Sequence, residues 1–170
     1  MDLKQHIATV PDFPKRGIVF RDITPLLQNP DAFRYAIDEF ARACEGERID
    51  VVVAIEARGF IFGGPLAYKL GVPLVPVRKL GKLPREAVGV EYDLEYGTSK
   101  VEMHQDGVHP GQRVLILDDL LATGGTAAAA IELVEKLGGT VAGLAFLIEL
   151  EDLNGRDKLK GYLATSLIKY

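Results

Sequence analysis

Four short apolar runs alternate with segments of helical spacing, and this alternation constrains the fold more than any other feature of the chain. "VVVAI" (51–55) is short, β-branched and continuous, as a strand buried on both faces requires. "GFIFGGPLAYKLG" follows as a helix closed by Gly71, and "PLVPV" (73–77) is a second strand. "RVLIL" (113–117) is a third strand. "TAAAAIELVEKLGG" (126–139) is rich in strong helix formers and ends at Gly138 and Gly139, and "TVAGLAFLIEL" (140–150) is a fourth strand. Such β-α-β alternation predicts an α/β fold, with a central, mostly parallel sheet flanked by helices on both faces. Upstream, "DAFRYAIDEFARAC" (31–44) predicts an amphipathic helix with Phe33, Ile37, Phe40 and Ala41 on one side.

Two segments fall outside the alternation. The N-terminal "PDFPKRGIVFRDITPLL" is punctuated by proline, and residues 1 to about 30 are expected to form an irregular hood over the sheet. Between the second and third strands, "GKLPREAVGVEYDLEYGTSKVEMH" opens with Gly, Lys and Pro and then alternates, with "YGTS" as a turn. A mobile loop followed by a hairpin, a lid over about 79–105, is the expectation. With 170 residues the whole chain, 1–170, is expected to be one domain.

Composition excludes several function classes. A net charge of −4 gives no general attraction for nucleic acid, and one cysteine, Cys44, precludes an intrachain disulfide. No apolar run approaches the ~20 residues that span a bilayer. The N-terminal stretch has neither a long apolar core nor a cleavage-site pattern, so a cytoplasmic location is expected. His104 and His109 flank "QDGV", but no third ligand sits at metal spacing, and both are expected to be structural or surface residues.

The chemistry concentrates in "VLILDDLLATGGTAAAA" (114–130). In an open parallel sheet, ligands bind beyond the carboxyl ends of the strands. Asp118 and Asp119 are expected at such an end, where carboxylates accept hydrogen bonds from vicinal hydroxyls. The small residues Ala122, Thr123, Gly124, Gly125 and Thr126 follow. They let backbone N–H groups converge at a helix N-terminus carrying roughly half a positive charge. Hydroxyls on the acids and phosphate on the loop describe a sugar phosphate. No Gly-Lys-Ser/Thr follows, so the segment is not a P-loop, and the spacing G-x-G-x-x-G of dinucleotide folds is absent.

The full string resembles the phosphoribosyl diphosphate (PRPP) signature of the type I phosphoribosyltransferases. "FPKRGIVFRDITPLL", "EARGFIFG", "RKLGKLP" with "YDLEYG", and "LDDLLATGGT" resemble, in that order, the motifs of members acting on adenine. The resemblance implies the type I phosphoribosyltransferase fold and transfer of the 5-phosphoribosyl group from PRPP to adenine, giving AMP and pyrophosphate in purine salvage. It implies that Asp118 and Asp119 orient the ribose and that Ala122 to Thr126 hold the 5′-phosphate. It implies a pyrophosphate loop at Glu56, Ala57, Arg58 and Gly59, often with a non-proline cis peptide. Cations Arg78, Lys79 and Lys82, with Tyr96, would reach the same diphosphate from the lid. Glu95 would act as acid/base near the purine or the ribosyl carbon. Val19, Phe20 and Arg21 would form the adenine pocket, with Phe20 stacking on the base and Leu150 or Leu153 flanking its other face. Mg²⁺ would ride on substrate oxygens with no direct protein ligand, water being the available bridge to Asp118 and Asp119, and the chain would be a homodimer. "REAV" (85–88) stands where many relatives continue with a glycine and proline, so the loop's conformation is not carried over. Two rivals remain open: a phosphoribosyltransferase for another purine such as xanthine or hypoxanthine, and a non-catalytic regulator that senses PRPP or purines.

Overall fold

The computed structural model describes residues 1–94 and 97–170. Its centre is β3 (Val51–Ile55), buried at every position, as the unbroken β-branched run dictates. It lies between two parallel neighbours, β4 (Leu74–Lys79) and β7 (Arg113–Leu121), with Val53 opposite Val75 on one side and Ile116 on the other. Beyond β7 come β8 (Thr140–Glu149) and β9 (Ala164–Lys169), again parallel. On the far side, the hairpin β5 (Ala87–Asp93) and β6 (Thr98–His104) joins antiparallel to β4 through Arg78 and Lys79. Among the described residues the sheet therefore has seven strands in the order β5-β6-β4-β3-β7-β8-β9.

Alternation along the buried strands separates two cores. Val51, Val53, Ile55, Val114 and Ile116 pack under α4 (Gly125–Lys136) with Ala127, Ala130, Ile131 and Val134. Val52, Leu115 and Leu117 pack on the other face under α2 (Pro30–Ala43) and α3 (Gly59–Leu70), with Phe40, Phe62 and Leu66. Helices thus cover both faces, as the alternation predicts. Helix α2 starts at Asn29, whose side chain accepts from the N–H groups of Asp31 and Ala32 at 3.0 Å, with Pro30 in the first turn. Helix α3 ends on Gly71 at φ 68°, the left-handed cap that glycine supplies without strain.

Three features depart from the sequence-based expectation. The third strand does not stop before the acids: β7 continues through Asp118 and Asp119 to Leu121, because β8 extends alongside it and pairs Leu121 with Glu149. Strand β9 was not anticipated. Its "ATSLIK" lacks an unbroken β-branched run, and its pairing with β8 is what makes it a strand. The hood is also more regular than proline punctuation suggests. Strands β1 (Ala8–Pro11) and β2 (Val19–Asp22) form an antiparallel pair closed by a turn with a cis Phe13–Pro14 bond, and a short α1 (Thr24–Gln28) follows. Among the described residues, no helix is long and apolar enough to cross a membrane.

The close seat of α3 on β3 gives a test with an internal control. A Cβ on Gly63 would lie 2.6 Å from the Ala54 Cβ, whereas one on Gly64 would meet nothing within 4 Å. Alanine favours a helix over glycine by about 1 kcal/mol, and overpacking costs about 1–3 kcal/mol. Gly63→Ala should therefore lower the urea midpoint and Gly64→Ala should raise it. Equal shifts of the two would contradict the packing described.

Candidate active site

The crossovers β3-α3-β4 and β7-α4-β8 place their helices on opposite faces, so β3 and β7 diverge at their carboxyl ends. Open α/β sheets bind ligands in the crevice at such a switch point. Here a cleft of about 490 Å³ opens there, walled by the loop after β3, the end of β4 and the segment from Asp118 to Ala127.

The acids form its floor. Asp119 is 6% exposed. Its Oδ2 accepts from Arg58 Nε at 2.5 Å, joining residues 61 positions apart. Asp118 Oδ1 accepts from the Asp119 N–H at 2.8 Å, and a Cβ on Gly59 would lie 3.0 Å from that same oxygen. Glycine at 59 is thus what lets the start of α3 come down onto Asp118. Burial, and next the negative charge of Asp119, push the Asp118 carboxyl well above the usual carboxylate range, although the Asp119 N–H and Arg58 pull the other way. The floor is a strained electrostatic arrangement with one cation for two acids.

One end of the cleft is the turn into α4. Gly124 caps the helix at φ 78° and no side chain caps it, so the first-turn N–H groups face the cleft with a partial positive charge. Thr126 Oγ1 donates to Tyr92 Oη at 3.1 Å, tying this turn to β5. The opposite wall is Glu56, Ala57 and Arg58, with a cis peptide between Glu56 and Ala57. Arg78 reaches both Glu56 oxygens at 3.2 Å and the Lys82 carbonyl at 3.0 Å. Burial alone would raise the Glu56 carboxyl, but Arg78 and the Lys79 N–H outweigh it and hold it below the usual range.

The family comparison agrees with this geometry. The model of the phosphoribosyl transferase domain matches residues 24–168. The chain belongs to the phosphoribosyltransferase family. Adenine phosphoribosyltransferase from Thermoanaerobacter pseudethanolicus superposes with a TM-score of 0.97 at 57% identity, over 99% of this chain and 98% of that one. The enzyme from Rhodothermus marinus gives 0.95 at 52%, over 99% and 96%. The enzyme from Saccharomyces cerevisiae, complexed with adenine and an imino-altritol bisphosphate, gives 0.93 at 43%, over 98% and 96%.

Within this phosphoribosyltransferase, the structure brings many of the sequence-predicted residues together. Glu56, Ala57, Arg58, Arg78, Lys79, Asp118, Asp119 and the run Ala122, Thr123, Gly124, Gly125 and Thr126 all line the cleft. Gly59 lies just behind it. Lys82 does not line it, and Arg78 is engaged by Glu56 rather than turned freely to the cavity. Val19, Phe20, Arg21, Leu150 and Leu153 also lie outside the lining. The Phe20 ring is edge-on to Phe13 and has the Arg58 guanidinium 5.8 Å from its centroid, which sets the hood beside the pyrophosphate-loop arginine. Arg21 turns away: its guanidinium stacks 3.8 Å from the Tyr170 ring and donates to Thr9 Oγ1. Leu150 is half-buried and Leu153 exposed. Glu95 and Tyr96 lie outside the described residues. Sequence reasoning missed Tyr92, whose alternation with Val90 in β5 was the available signal, and the ion pair of the buried Glu149 with the partly exposed Arg156.

The raised Asp118 carboxyl has a testable sign. The fold binds this proton more tightly than the unfolded chain, whose aspartates titrate near about 3.9. Stability from this group is therefore full below that value and is lost as pH rises through the higher value in the fold. Asp118→Asn stays neutral, so its denaturation midpoint should gain on wild type between pH 4 and pH 7.5. A difference that does not change with pH would contradict the assignment.

Proposed function

We propose that this chain catalyses transfer of the 5-phosphoribosyl group from PRPP to adenine, giving AMP and pyrophosphate. The observation that carries the proposal is one cleft holding an adjacent acid pair, an uncapped helix N-terminus and a cationic wall at separate positions. Each matches one part of PRPP: hydroxyls, 5′-phosphate and diphosphate. The adenine half is supported by the 57% identity to an adenine phosphoribosyltransferase and by the adenine bound in the yeast enzyme.

The residues then act by positioning and by charge stabilisation. Backbone N–H groups from Ala122 to Thr126 hold the 5′-phosphate, and the Thr123 hydroxyl adds a donor. Asp118 and Asp119 accept from the ribose hydroxyls and fix the ring. Arg58 and Lys79, with Lys82 and Tyr96 from the lid over about 79–105, offset charge building on the departing pyrophosphate. Positive charge develops at the anomeric carbon as that bond lengthens, and adenine N9 takes its place, so the protein supplies no covalent nucleophile. Glu95 serves as the acid/base group near the base, and the backbone groups of Val19 and Arg21 with the side chains of Phe20, Leu150 and Leu153 form the adenine pocket. Two acids with hard oxygen donors, open to a cleft, fit Mg²⁺ that keeps its water and substrate ligands rather than one caged by protein. When bound, the ion shields diphosphate charge. We also propose that the chain is a single domain, is cytoplasmic and works as a homodimer.

A 6-oxopurine enzyme needs a cation near O6 after β8. The segment 146–155 carries carboxylates and no lysine, and the first cation after it, Arg156, is engaged by Glu149 and the Ala164 carbonyl. This favours adenine over hypoxanthine or xanthine. A PRPP sensor would bind without turnover.

Pyrophosphate release should be seen with adenine and Mg²⁺, and be weak with hypoxanthine or without the ion. Substituting both Asp118→Asn and Asp119→Asn should lower kcat/KM by about 100-fold or more while the circular dichroism spectrum stays unchanged. PRPP binding with no detectable AMP in wild type would favour the sensor.

A further inference from the structure

Thr126 ties the helix start to Tyr92, but among the described residues the stretch from Ala122 to Gly125 has no side-chain hydrogen bond that would hold its shape. Ala122, Gly124 and Gly125 are small, and glycine leaves the backbone free to move. A ring of N–H groups must nonetheless be placed to within a fraction of an ångström to grip a phosphate. For Ala122 and Gly124 the restraint comes from a segment outside the cleft, the turn between β8 and β9. A Cβ on Gly155 would lie 2.2 Å from the Ala122 carbonyl oxygen and 3.0 Å from Leu121 Cδ1. A Cβ on Gly124 would lie 2.3 Å from the Gly155 carbonyl oxygen. The two backbones are in contact, and neither residue has room for a side chain.

The turn is pinned from behind. Arg156 Nε and Nη2 donate to the two Glu149 oxygens at 2.6 and 2.7 Å, a planar fork on a carboxylate that is 4% exposed. Arg156 Nη1 donates to the Ala164 carbonyl at 2.8 Å, reaching β9 as well. The Arg156 hydrogen bonds hold the Glu149 carboxyl below the usual range despite burial. Glu149 does not line the cleft, so this buried charge has no part in the reaction derived above.

We propose that Glu149, Gly155 and Arg156 form a buttress that sets the shape of the 122–126 phosphate loop. Arg156 is a positioning residue: it anchors to β8 and β9 and thereby holds Gly155 against Ala122 and Gly124. The proposal rests on reading that loop as the 5′-phosphate site. It makes the buttress selective for the phosphoester end of the substrate and indifferent to the pyrophosphate end.

The test compares the full-length chain with Gly155→Ala and Arg156→Lys, using titration calorimetry with ribose 5-phosphate and, separately, with pyrophosphate and Mg²⁺. Gly155→Ala should weaken ribose 5-phosphate binding and raise KM for PRPP by about tenfold or more. Pyrophosphate affinity and kcat at saturating PRPP should stay near wild type. Arg156→Lys keeps the charge but loses the fork, and should show a smaller shift of the same selectivity. If Gly155→Ala fails to fold, the Arg156→Lys ratio decides. Unchanged ribose 5-phosphate affinity in a folded variant would overturn the buttress, and so would an equal loss of both ligands. Failure of the wild-type chain to bind ribose 5-phosphate would instead overturn the phosphate-loop reading beneath it.

Discussion

Two adjacent carboxylates at the end of a central strand are an unfavourable arrangement, and much of this molecule exists around them. Asp118 and Asp119 extend a strand whose four preceding residues, Val114 to Leu117, are apolar and buried, so they lie where water cannot fully solvate them. Among the described residues Arg58 is the charge partner of Asp119, and Asp118 accepts from a backbone N–H. A fold selected for stability alone would place apolar residues there. The cost makes sense if both acids are kept for a ligand whose hydroxyls complete their hydrogen bonding.

The same logic explains the glycines nearest the cleft. Gly59 brings the start of α3 onto Asp118, and Gly124 and Gly155 let two turns touch without side chains between them. Gly125 is seated against Tyr92, so β5 also presses on the helix start. The acids, the phosphate loop and the cationic wall therefore sit on three chain segments that the sheet brings together. Contacts behind the cleft, such as Gly155 against Ala122, hold these segments together with bonds between its walls, Arg58 to Asp119 and Thr126 to Tyr92.

How much of this was legible in the sequence depends on range. β3, β4, β7, β8 and the three long helices are visible because apolar periodicity and glycine stops are local signals. The acid pair and the glycine loop are visible because strand, charge and helix start are consecutive. What was hidden depends on distant partners. "ATSLIK" becomes a strand only by pairing with β8. Arg156 reads as one more surface cation until Glu149 is found buried beneath it. Arg78 reads as free until it meets Glu56, 22 residues upstream. Arg21 reads as a free cation until the ring of Tyr170, at the other end of the chain, is found against its guanidinium.

The central claim is that the Asp118–Asp119 pair and the turn into α4 hold one sugar phosphate between them. A crystal structure of the chain with AMP tests it most directly. The account predicts phosphate oxygens about 3 Å from the N–H groups of Thr123 to Thr126, and ribose hydroxyls at similar distance from the two acids. Phosphate bound at the Arg58 wall instead, or a ribose turned away from both carboxylates, would contradict it.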